Sequence, residues 1–442
     1  MVEGAAPGKL VTGRSLVLAA LLFLALTVSG NLLERYLCSL HPFDCPKGWP
    51  SSVFDPRVPQ VANFAFAALT VLAFELLRRR LHRDEGPLAP ALGAVAIVLF
   101  STATQGVPRG FEHPISGLSD TGTGMQYFHD ASHFTGVHDA LSRWNAVQPT
   151  LAHGRTHPPG AVLLALLVPY PGLLGLLWLV LSTIVASFAV HRLVVRFFGD
   201  RRLANTAVLL FAALPAVQIY FGSTLDALMA ALLTAALATH AATPSAARRV
   251  ATGVLIGGAV FLSFGAWILV PTFVGLEWAQ HKTLKASSIA LVVAVLVLAA
   301  LRAFGFDYAA SFRMASHLEN PAGFRLLADP VDYLATRVED VAEILFFLGP
   351  AVLLATARAR GTLTKVPRTV FVVAVGSLGL AFLTGAFHTG ETARACIFVA
   401  PILLLPVLAR LHQRPDPGSR DLLLRATLGF GLILQLVGDW FW

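Results

Sequence analysis

The run from Gly160 to Arg202 reads GAVLLALLVPYPGLLGLLWLVLSTIVASFAVHRLVVRFFGDRR. No charged residue falls between Gly160 and Val190, a stretch longer than the roughly 20 apolar residues that cross a bilayer. Pro169-Tyr170-Pro171-Gly172 interrupts it, and proline ends a helix just before itself. The reading is a short outer segment followed by a full span. Arg192, Arg196, Arg201 and Arg202 then gather where the span ends, as basic residues do at a cytoplasmic face.

The same grammar repeats in both directions. Apolar runs occur at 16–33, 59–77, 88–105, 160–196, 203–221, 224–240, 250–263, 266–280, 284–304, 340–358, 369–386, 395–410 and 421–441. With Lys9 and Arg14 inside, the loops 78–87, 197–202, 241–249, 281–285, 359–368 and 411–420 fall on the cytoplasmic side. They or their edges carry most of the basic residues, among them Arg78, Arg79, Arg80, Arg248, Arg249, Arg358, Arg360, Arg410 and Arg414. The expectation is an all-α polytopic membrane protein of about 13 transmembrane helices, with its N-terminus cytoplasmic and its C-terminus outside. The first apolar stretch lacks a following A-x-A cleavage site and reads as a retained helix. The chain divides into three parts, 1–87, 88–304 and the C-terminal helices of 305–442.

Composition agrees. Of 442 residues, 56% are hydrophobic and only 13% charged, against about 25% in soluble domains, and mean hydropathy is +0.69. The net charge of +8 would suit nucleic acid, but the cations sit at span ends, so the partner is membrane and not nucleic acid. Arg over Lys, with abundant Ala and Leu, points to a GC-rich bacterial genome and a plasma-membrane location. Cys38 and Cys45 flank a Pro-rich outer loop and are either a disulfide or two plain thiols; Cys396, inside an apolar run, reads as packing.

Two outer loops, 106–157 and 305–339, hold most of the remaining polar residues, while the spans look nearly free of charge. This places chemistry at the extracytoplasmic surface. The first loop, expected to carry juxtamembrane helices, reads Asp120-Thr-Gly-Thr-Gly-Met-Gln-Tyr127-Phe-His129-Asp130-Ala-Ser-His133 and ends in His153-Gly-Arg155-Thr-His157-Pro158-Pro159-Gly160. Residues 125–145 read as a surface helix with Phe128, Phe134, Leu141 and Trp144 as lipid or core contacts. Further on stand Asp226 and the cluster His388-Thr-Gly-Glu391-Thr-Ala-Arg394. Asp226 equally suits capping of the next helix, and Glu391 and Arg394 equally suit a simple pair three residues apart. The second loop holds His317, Glu319, Arg325, Asp329 and Asp332, a lid or a solvated surface.

The order of these features resembles GT-C-type glycosyltransferases, such as protein O-mannosyltransferases and aminoarabinose transferases. The residues that carry the resemblance lie over about 90–280: Asp120, Tyr127-Phe128, His157-Pro158-Pro159, the turn Arg196-Phe197-Phe198-Gly199-Asp200-Arg201-Arg202, then Pro215 and Asp226. The resemblance implies that 88–304 is a GT-C-like membrane module and 1–87 a two-helix addition. It also implies a sugar donor linked to polyprenyl phosphate, and an acceptor hydroxyl on a lipid, glycan or protein. Such a transfer needs a base at the acceptor hydroxyl and positive charge at the departing phosphate. Asp120, Asp130 and Asp226 are the catalytic candidates. Arg394, Glu391, His388, Arg155, His157 and Tyr127 are the candidates for holding the donor and its phosphate. One displacement implies inversion at the anomeric carbon. A divalent cation, magnesium or manganese, fits beside Asp120 and Asp226, although the spacing does not demand one.

Two other classes compete. His129 and His133 lie four apart with Asp130 between them, a zinc-ligand spacing that His138, His153 or His157 would complete, as in a membrane metalloprotease. A transporter or lipid flippase would show internal repeats and broken, charged helices.

Overall fold

The computed structural model describes residues 9–40, 55–81, 83, 86–116, 126–222, 224–321, 323–385 and 392–440. Asp120, His388, Glu391 and Cys45 lie outside the described residues, as does the Cys38 side chain. Among the described residues the fold is all-helical apart from a single pair of two-residue strands, β1 (Asp55–Pro56) and β2 (Gly438–Asp439), which run antiparallel.

The helices in chain order are α1 (Gly13–Leu40), α2 (Val61–Arg79), α3 (Leu88–Ala103), α4 (Arg109–Ser116), α5 (Tyr127–Ala131), α6 (Val137–Val147) and α7 (Gly160–Leu167). Then come α8 (Pro171–Phe198), α9 (Arg201–Ala213), α10 (Pro215–Tyr220), α11 (Leu225–His240), α12 (Ala246–Leu262), α13 (Val270–His281) and α14 (Lys285–Arg302). The last are α15 (Tyr308–Glu319), α16 (Pro330–Arg358), α17 (Lys365–Leu383), α18 (Thr392–Ala395), α19 (Ala400–Leu403), α20 (Leu405–Gln413) and α21 (Pro417–Val437).

Local chemistry sets these boundaries. Proline opens α8, α10, α16 and α21, where its missing N–H costs nothing. Gly199 takes a left-handed conformation (φ 70°) that ends α8, and Asp200 then accepts from the Leu203 N–H at 2.9 Å to start α9. The expected 203–221 run breaks at Leu214, whose extended backbone precedes Pro215. The 125–145 run is two helices, parted at Gly136; Trp144 is fully buried and stacks with Phe134 at 5.7 Å, which makes both core contacts.

Among the described residues, six helices are long and apolar enough to cross a bilayer: α1 over Gly13–Leu33, then α2, α8, α14, α16 and α17. Leu88–Ala103, Leu225–His240 and Ile397–Gln413 are shorter apolar helices. The expectation of about thirteen spans is not established by that measure. Leucines and valines along α1 are left exposed, as on a face that meets lipid. The chain is a membrane protein.

One apolar core runs from Leu10 to Trp440 and crosses both sequence boundaries, at 87/88 and 304/305. A second, smaller core gathers Ile115, Tyr127, Phe134, Trp144, Leu151, Trp178 and Phe306. It also holds Leu174 at the start of α8, Leu225 at the start of α11 and Leu262 at the end of α12, so it caps one end of the bundle.

Two sequence expectations are corrected. The spans are not nearly free of charge, and the second outer segment does not stay a loop up to residue 339. Asp329 caps the start of α16 by accepting from the Asp332 N–H at 3.1 Å, and that helix carries Glu339, Asp340 and Glu343 fully buried along its length. Its break comes later, at Gly349 (φ 80°), just before Pro350.

Candidate functional site

Asp226 is the second residue of α11. Thr224, two residues before it, occupies the cap position and makes no side-chain capping bond. The carboxylate instead meets Arg394, with Nε 3.2 Å from Oδ2, and both residues are buried. Capping was the plain alternative for Asp226, and an ion pair with Glu391 was the plain alternative for Arg394. The Asp226–Arg394 contact joins residues far apart in the chain, and Glu391 lies outside the described residues.

Arg394 stands where it does because α16 holds its helix. The Thr392 N–H donates to Glu343 Oε2 at 2.7 Å, and the Thr392 hydroxyl donates to Asp340 Oδ1 at 2.5 Å. The other oxygen of Asp340 is engaged by Arg337 Nε at 2.9 Å. Asp340 and Glu343 are therefore positioning residues for Arg394. Sequence reading missed both, having read Glu339 as the edge of a loop and Asp340 as the first residue of a span. The signal that would have found them is the run of acids one and four residues apart beside an apolar stretch, which is costly unless the acids are engaged.

Asp130 is fully buried and accepts three backbone hydrogen bonds: from Ala152 at 2.8 Å, His153 at 3.0 Å and Gly154 at 2.6 Å. Its carboxylate draws the 152–154 segment onto α5. His153 is thereby set edge-on to Tyr127, with ring centroids 4.6 Å apart, and nearly parallel to His157 at 5.0 Å. Burial, and then the charges of His157, Arg394 and Arg155, hold the His153 pKa well below the ordinary histidine value. A neutral imidazole results at physiological pH.

These parts meet in one cleft at the capped end of the bundle. It is lined by Pro114, Gln126, Tyr127, His153, Ile219, Tyr220, Thr224, Leu225, Asp226, Arg394 and Trp440. Its free volume is about 10 Å³, room for one water molecule. Of the sequence candidates, Asp226, Arg394 and Tyr127 line it directly. His157 is one ring removed, 5.6 Å from Tyr127. Arg155 is exposed and does not line it. Gln126, which no reading of the sequence singled out, lines it too, as does His153, which the sequence offered only as a zinc ligand.

No protein-family model and no curated protein matches the sequence. Among solved structures, the chain is similar to the crystal structure of the Archaeoglobus fulgidus oligosaccharyltransferase in the apo form. The identity is 13% and the TM-score 0.38, over 96% of this chain and 56% of that one. This chain thus spans little more than half the length of that protein. A likeness at that TM-score fixes no property of this chain.

The remaining candidates are metal sites. His129 and His133 do approach each other, with ring centroids 5.9 Å apart, on an exposed turn. His153 and His157 pack against Tyr127 instead. Among the described residues, no group of three or more His, Cys, Asp or Glu side chains is arranged to hold a metal ion.

Proposed function

We propose that this protein is a membrane glycosyltransferase that moves a sugar from a polyprenyl-phosphate-linked donor to an acceptor hydroxyl at the extracytoplasmic face. The buried Asp226–Arg394 pair, in a cleft walled by Tyr127 and His153, is the observation that carries this reading. Three elements of the ordered pattern, Tyr127, the segment leading to His157 and Asp226, converge there with Arg394. A guanidinium matches phosphate oxygens in charge and geometry, and a buried one does so with little competition from water.

In this reading Arg394 receives the donor phosphate, and Asp226 fixes its orientation. Asp120 takes the proton of the acceptor hydroxyl, the acceptor oxygen bonds to the anomeric carbon, and the bond from that carbon to the phosphate breaks with its electron pair leaving on polyprenyl phosphate. One displacement inverts the centre. Asp130 acts through the backbone it anchors and not as the base, because three N–H groups already occupy its oxygens.

The test is purified protein in lipid, given a panel of radiolabelled polyprenyl-phosphate sugars and followed by release of polyprenyl phosphate. Turnover of one donor, lost in Arg394→Ala and in Asp120→Asn, is the expected result. Folded protein that neither binds nor turns over any donor overturns the reading. A second reading, a transporter or flippase, is favoured by one observation: α16 carries buried acids and breaks at Gly349, as helices at transport sites do. Movement of the intact lipid-linked sugar across liposomes, without release of polyprenyl phosphate, would select it.

A further inference from the structure

The opposite end of α8 and α11 has a second opening. Asp226 begins α11, and Thr239 near its other end is some 20 Å away at the rise of a helix. There α8, α11, the start of α9, the start of α12 and the Gly86-Pro87 turn enclose a groove of about 1060 Å³. That is at or above the size of pockets that hold drug-sized ligands, about 300–1000 Å³.

The groove has two kinds of wall. Ile184, Val185, Phe188, Val195, Ala235 and Ala238 make an apolar one. Arg192, Arg196, Arg201 and Arg248 make a cationic one, and among the described residues no Asp or Glu lines the groove. Ile184, Phe188, Arg192 and Arg196 recur every fourth residue and so share one face of α8. That face runs from apolar to cationic over about 18 Å.

The four arginines are exposed, and among the described residues none is in an ion pair with a carboxylate. Two make backbone contacts only: Arg196 Nε donates to the Ala241 carbonyl at 2.8 Å, and Arg248 Nη1 to the Thr243 carbonyl at 2.6 Å. Packing alone does not call for four exposed cations around one apolar groove. Leu177 and Leu181, also on α8, are exposed nearby, so the apolar wall continues onto a surface that faces lipid.

We propose that this groove seats one anionic phospholipid, its phosphate among Arg192, Arg196, Arg201 and Arg248 and an acyl chain along Ile184, Phe188 and Ala235. Charge selects the headgroup, since basic pockets between membrane helices collect anionic lipids. The apolar wall selects a lipid over free phosphate. The site is separate from the Asp226–Arg394 cleft and does not depend on what that cleft does.

The experiment is native mass spectrometry of the full chain, released from detergent containing equal amounts of phosphatidylglycerol and phosphatidylcholine. One retained phosphatidylglycerol per chain is expected, with phosphatidylcholine released. The double variant Arg192→Gln/Arg248→Gln lowers that retention by about thirty-fold, the scale of losing two charge contacts to a headgroup. Ala235→Trp fills the groove and lowers retention with all four arginines in place, which separates a seat from diffuse surface attraction. Equal retention of the two lipids overturns the proposal, as does unchanged retention in both variants, or displacement of the lipid by inorganic phosphate alone. Should a variant fail to fold, the comparison of the two lipids on unaltered protein decides.

Discussion

A carboxylate and a guanidinium 3.2 Å apart in a protein interior stabilise each other only while both are present. Asp226→Asn keeps the size of the side chain but removes the carboxylate that faces Arg394 Nε in the interior. The expected cost is about 3–5 kcal/mol of stability, and Asp226→Asn/Arg394→Met together should cost much less than the two changes summed. Unfolding by graded SDS in mixed micelles measures both. If the single variant loses no more than a surface substitution does, the pair is not a buried one. His153 supports a prediction in pH. Its pKa in the folded chain lies well below the value of about 6.5 that the unfolded chain takes. Between those values the unfolded state binds the extra proton, so stability is full above pH 6.5 and falls as the pH drops below it. The slope from this group is at most about 1.4 kcal/mol per pH unit. His153→Gln should flatten that acid limb; an unchanged limb would mean that His153 titrates as an ordinary histidine.

At the scale of the element, α18 is four residues long and too short to hold its own position. Its place comes from the buried carboxylates of α16. Thr392→Val removes the hydroxyl bonded to Asp340 and leaves the backbone bond to Glu343. The expected loss is about 1–3 kcal/mol of stability, because a hydrogen bond to a buried carboxylate is removed. In the glycosyltransferase reading, turnover drops as well, since Arg394 is no longer fixed. Thr392→Ser restores both, and failure of that rescue would assign Thr392 to packing. This contact also shows what sequence can and cannot reveal. The break at Pro169-Tyr170-Pro171 and the Gly199-Asp200 turn were legible because proline and glycine act on their own neighbours. The start of α16 was not, since acids beside an apolar run look like a loop until a partner from elsewhere in the chain is found for them. Likewise Asp226 and Arg394 could each be singled out, but their contact is made by packing and leaves no local mark. Asp130 was legible as important but not as an anchor, because its three partners are backbone groups.

For the whole molecule in lipid, apolar surface gives helices little reason to join, so close packing and polar contacts must do it. Four buried polar residues meet at the centre: Ser101 on α3, Gln105 just beyond it, Gln218 on α10 and Gln435 on α21. Gln435 donates to the Gln218 carbonyl at 2.5 Å, and Gln105 donates to Gln435 Oε1 at 2.6 Å and to its carbonyl at 2.7 Å. The Ser101 hydroxyl donates to Gln218 Oε1 at 3.1 Å. Arg57, just after β1, reaches the carbonyls of Thr104 and Gln435, each at 2.6 Å. First and last segments are thus tied to the middle of the chain by amides, while Tyr220 and Trp440, which line the cleft, lie within five residues of this knot. Gln435→Leu keeps the bulk but removes every side-chain bond of that residue. Hydrogen bonds between membrane helices average about 0.6 kcal/mol each, and the amides left unmatched add to the loss, so about 1–3 kcal/mol is expected. SDS unfolding of the variant measures it. A loss below about 0.5 kcal/mol, less than one such bond, would show that the interlocked leucines hold the bundle and that the amides only fill it.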